Sequence, residues 1–158
     1  MRERAGARDY LFAGLLTGAP AGVLSALPWY VCTINLCGFT WPFTAGLLAA
    51  LFVCRFVRRP LAAREGATAG VIAGCVTAVC AVIVLTIAWP VQVANWQAVI
   101  TSFKEGQPED LRLLFDLITT RAGLVLIATH LVFASVCSAG LGGLIGAALR
   151  APRTEQSP

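Results

Sequence analysis

Residues 28–42 read PWYVCTINLCGFTWP. They lie inside a run, residues 10–54, that contains no Asp, Glu, Lys or Arg. A helix crossing a bilayer takes about 20 apolar residues. The run is too long for one such helix and long enough for two, provided the chain turns back within it. The quoted stretch supplies the turn. Asn35 tolerates unusual backbone angles and can bond its own turn, and Gly38 frees the chain to enter the next helix. Trp29 and Trp41 are placed to anchor both helix ends at the headgroups. The stretch therefore reads as the tip of a hairpin between two spans. A chemical reading competes with it, because Cys32 and Cys37 flank Asn35.

Two further uncharged runs cover residues 66–103 and 122–149. Together they predict four spans, at about 10–31, 41–57, 66–89 and 123–149, with Pro90 closing the third. The chain has 158 residues, of which 58% are hydrophobic and 13% charged. A soluble domain carries roughly a quarter charged residues. The expected fold is all-α, an integral membrane four-helix bundle forming one membrane domain over residues 1–158. Arg2, Arg4 and Arg8 ahead of Leu11 could open a cleavable signal, but apolar sequence continues well past it.

Positive charge favours the cytoplasmic end of a span. Arg2, Arg4, Arg8, Arg55, Arg58, Arg59, Arg64, Arg150 and Arg153 fall on one side of the four spans; Lys104, Arg112 and Arg121 fall on the other. Nine against three predicts both termini in the cytoplasm and the protein in the plasma (inner) membrane. Trp29, Trp41, Trp89 and Trp96 then all fall on the outer side as interface anchors. The net charge of +4 sits beside the membrane, where anionic lipid accounts for it more simply than nucleic acid does.

The outer segment, 91–121, contains GQPEDLRLLFDLITT (residues 106–120). Pro108 suits a first helical position, and Glu109 and Asp110 suit a first turn. Leu111, Leu114, Phe115 and Ile118 follow at helical spacing. This predicts a short helix lying on the outer membrane surface, or one that docks a partner.

Small residues recur every fourth position: Gly14, Gly18 and Gly22; Gly66, Gly70, Gly74 and Ala78; Ala134, Ser138, Gly142 and Gly146. Lipid gives little hydrophobic drive between helices, so close backbone contact at small residues carries their packing. The ladders predict helix contacts within one chain or between chains. Leu16 and Leu85 are expected to face lipid. GAPAGVL (residues 18–24) echoes GATAGVI (residues 66–72), which raises a tandem repeat of two helical hairpins.

The stretch from residue 11 to 84 resembles a group of uncharacterised small bacterial membrane proteins. Its carriers are the hairpin around Asn35 and Cys37, the Gly/Ala-rich second span, the arginine-rich loop and EGATAGVIAG. This chain departs from the pattern by placing Leu36 between Asn35 and Cys37. The resemblance implies no established activity. Four spans with a cysteine pair in the first outer loop are also similar, in topology, to the bacterial quinone-dependent disulfide-generating enzyme. That enzyme carries a closer cysteine spacing and a second outer pair, whereas residues 91–121 contain no cysteine.

Cys32 and Cys37 are a candidate disulfide or thiol pair; the slightly favoured alternative is that they are small apolar residues at helix ends. Cys54, Cys75, Cys80 and Cys137 read as buried, inert span residues. His130 is the one histidine; sharing a ladder with Ala134 and Ser138, it is expected to face other helices, as a structural hydrogen-bonding group or a functional one. No catalytic constellation, metal set or cofactor motif emerges. The expected function is therefore an accessory or scaffold subunit that contacts lipid and another membrane protein or itself. A thiol-redox protein using Cys32 and Cys37, and a small transporter or channel subunit, are the alternatives.

Overall fold

A computed structural model describes residues 6–26, 39–104, 113, 116, 117 and 119–150. Four helices account for nearly all of them: α1 (Ala7–Ala26), α2 (Thr40–Val57), α3 (Ala63–Lys104) and α4 (Arg121–Leu149). The protein is all-α, with the four helices packed together. The α3–α4 contact is the most extensive; α1 and α4 stand at opposite corners.

The starts of α3 and α4 are locally specified. Thr120 has an extended backbone and caps α4, its Oγ1 accepting from the Gly123 N–H at 3.3 Å. Ahead of α3, Glu65 reaches back to accept from the Ala62 N–H at 2.9 Å. This is the carboxylate half of a capping box. Within the helices, the hydroxyls of Thr17, Thr44, Thr68, Thr77, Thr86 and Thr129 each donate to the carbonyl four residues back. No threonine in this set leaves its donor unused in an apolar surround, where that would cost about 1–3 kcal/mol.

Three helices among the described residues are long and apolar enough to cross a membrane: α2, residues 63–94 of α3, and α4. The fourth expected span is not among them. The described part of α1 is 20 residues long and opens on Arg8 and Asp9, and Gly14, Thr17, Gly18, Gly22 and Ser25 dilute its apolar content. The expected remainder, residues 27–31, lies outside the described residues.

The third expected span also differs. Pro90 does not close it, because α3 runs unbroken for 42 residues to Lys104, about 63 Å at helical rise. A proline removes only its own N–H, and neighbouring helices can hold the turn around it. Here Gln92 Nε2 donates to the Ala26 carbonyl at 3.2 Å, tying the turn after Pro90 to the end of α1. The first part of the expected outer segment is thus the continuation of α3. Of the expected surface helix, Leu113, Asp116 and Leu117 are helical and exposed; Leu111, Leu114, Phe115 and Ile118 lie outside the described residues.

The packing is inverted relative to a water-soluble bundle. Buried positions are mostly Ala and Gly, and the largest fully buried side chains are Val53, Thr77, Pro42 and Ser135. Leu11, Phe12, Leu15 and Leu16 point outward from α1, and Val79, Ile83, Ile87 and Val91 form an outward row on α3. Leu61, Leu85 and Leu131 are buried exceptions to this pattern, and Leu85 departs from its expected lipid exposure. Leu85 is 3% exposed, in a core with Ala26, Ala81 and Leu131.

Candidate functional site

The glycines lie where helices come closest. A Cβ on Gly14 would stand 2.8 Å from Ile72 Cγ2; on Gly18, 2.5 Å from the Ala73 oxygen; on Gly22, 2.5 Å from the Thr77 oxygen. Rising numbers on α1 meet rising numbers on α3, so these neighbours run parallel. Thr77 fastens the same seam, its hydroxyl shared between the Ala73 carbonyl at 2.8 Å and the Gly18 carbonyl at 3.1 Å. Gly66, Gly70 and Gly74 meet α4 instead: Gly66 faces Gly143 and Ala147, Gly70 faces the Ala139 carbonyl, and Gly74 faces Ser135 and Val136. This seam is antiparallel. Gly142 and Gly146 face Phe43, Leu47 and Ala50 of α2, in a third, parallel seam. Ser138 is buried, with its hydroxyl donated to the Ala134 carbonyl at 2.5 Å.

Gly46 and Gly143 complete the seams and were not in the ladders. An added Cβ would strike the Ala139 carbonyl at Gly46 and the Gly66 carbonyl at Gly143. The signal for Gly143 was the Gly142–Gly143 doublet. Adjacent helical residues differ by about 100°, so a doublet gives α4 one small face for each neighbour. The echoing segments do not face each other, since Gly18 lies beside Ala73 and Val76, about two turns past Gly66.

His130 is exposed on α4 and sits edge-on to Phe39, the residue just ahead of α2, with ring centroids 6.2 Å apart. Cys75 and Cys137 are likewise exposed; Cys80 is partly buried and Cys54 buried. Trp41 is partly buried in the first turn of α2, and Trp89 packs against the core cluster that contains Leu85 and Leu131. Trp96 lies on α3. Trp29, Cys32, Asn35, Cys37 and Gly38 lie outside the described residues.

At the other end of the bundle the arginines gather. Phe12 of α1 packs on Phe56 of α2 at 5.9 Å, which brings the start of α1 to the end of α2. Between the C-terminal ends of α2 and α4 opens a cleft of about 860 Å³ lined by Arg55, Arg58, Arg59 and Arg150. Arg59 forms a two-pronged pair with Glu65: Nη1 to Oε2 at 2.8 Å and Nη2 to Oε1 at 2.5 Å. Hydrogen bonding to Glu65 raises the Arg59 pKa above its ordinary value, so this guanidinium stays charged. Arg58 terminates α2 in the left-handed region, at φ 50° and ψ 34°. Four guanidinium groups line this cleft, a chemistry suited to an anion.

No protein-family model, curated protein or solved structure matches the chain.

Proposed function

We propose that the protein is a multi-pass membrane bundle that works by association, as an accessory or scaffold subunit rather than an enzyme. Its place is the plasma (inner) membrane, with both termini cytoplasmic. The observation that carries this reading is the inverted packing: small residues inside, and Leu, Ile, Val and Phe outside. Water would penalise that surface, whereas lipid tails accept it and leave helix contact to small residues. Three apolar helices of spanning length support the same reading. Arg8, Arg55, Arg58, Arg59, Arg64 and Arg150, at one end, support the orientation.

A scaffold is defined by what it holds. Purification from native membranes in mild detergent is expected to yield this chain with another membrane protein, or with a second copy of itself, in fixed ratio. Recovery of a lone monomer across several mild detergents would contradict the association reading.

A further inference from the structure

The arginine cleft at the ends of α2 and α4 holds more positive charge than the other described residues neutralise. Arg59 is matched by Glu65. Among the described residues, Arg55, Arg58 and Arg150 form no ion pair. The bland account is that they serve the helix ends, since a helix C-terminus carries about half a negative charge. Two such ends offset about one positive charge, leaving about two unmatched in one cleft. Arg58 also holds a left-handed backbone conformation that residues with a Cβ seldom adopt. The Arg59–Glu65 pair and the Glu65 bond to the Ala62 N–H fix the loop that presents it.

The cleft is not polar throughout. Leu48, Leu51 and Phe52 continue its wall along α2, so that its lining runs about 10 Å from Arg55 back toward the middle of the bundle. A guanidinium mouth above an apolar wall matches an amphiphile with an anionic head. Guanidinium groups bind phosphate oxygens through paired, charge-assisted hydrogen bonds, and basic pockets between membrane helices take phospholipid heads. We propose that this cleft binds the phosphate of an anionic lipid headgroup, with an acyl chain along Leu48, Leu51 and Phe52. The proposal rests on the membrane reading.

The test uses the whole protein in nanodiscs at physiological ionic strength, where diffuse surface attraction is largely screened. Adding phosphatidylglycerol to phosphatidylcholine should raise the Tm by a few degrees, as a bound ligand does. The double variant Arg58→Gln/Arg150→Gln should lose that rise, while Arg64→Gln, beside the cleft but not lining it, should keep it. If the double variant does not fold in phosphatidylcholine, Arg150→Gln alone should weaken the lipid dependence by about tenfold, the loss of one charge-assisted hydrogen bond. An equal rise from inorganic phosphate in phosphatidylcholine alone would overturn the lipid assignment in favour of free phosphate. No rise in the reconstituted wild type, or an equal loss in Arg64→Gln, would overturn the site while leaving the membrane reading intact. Failure of the folded protein to enter bilayers would overturn both.

Discussion

Gly70 and Leu85 carry the packing in opposite ways. Gly70 lets the Ala139 carbonyl of α4 approach α3, and a larger side chain there has only backbone to push against. Gly70→Leu is expected to destabilise the bundle by about 1–3 kcal/mol or more through overpacking. Leu85 is 3% exposed and Leu16 is 49% exposed. Leu85→Ala should then remove a filled core position at about 2–5 kcal/mol, while Leu16→Ala should change stability little. Thermal unfolding in mild detergent checks all three, and equal sensitivity at Leu16 and Leu85 would contradict the packing described. The four-residue stride of glycines was legible in the sequence; the burial of Leu85 was not. A stride marks which residues share a helix face, but not which other faces a third helix will cover.

Among the helices, the ends of α2 and α4 were the most legible. Thr40–Val57 and Arg121–Leu149 begin within two residues of the expected 41 and 123 and end at the expected 57 and 149. Charge and capping set those ends: Arg55 and Arg58 close one helix, and the Thr120 cap opens the other. Pro90 misled because its local effect on α3 is one missing donor, whereas the contact that holds the surrounding turn, Gln92 with the Ala26 carbonyl, joins residues far apart in sequence. With its length of about 63 Å, α3 exceeds a hydrocarbon core of about 30 Å. It should therefore connect the two sides of the membrane and project from one of them. Reporter fusions after Arg59 and after Pro158 should give a cytoplasmic signal, and a fusion near Gly106 an exterior one. A cytoplasmic signal at Gly106 would mean that α3 does not cross.

For the molecule as a whole, the decisive feature is which side chains face out. Among the described residues, 23 large apolar side chains are exposed. Exposed apolar surface on that scale marks contact with a membrane or a partner. Composition made the apolar setting legible, but not the arginine cleft, because Arg55, Arg58 and Arg150 meet only once α2 and α4 lie parallel. Spin labels at Phe133 and Ile87, 71% and 74% exposed, in the reconstituted protein report whether the outward apolar surface faces lipid. Both labels should relax strongly with oxygen, which concentrates in the hydrocarbon, and weakly with a water-soluble nickel chelate. Strong relaxation by the chelate at Phe133 and Ile87 would place that surface in water and contradict the account.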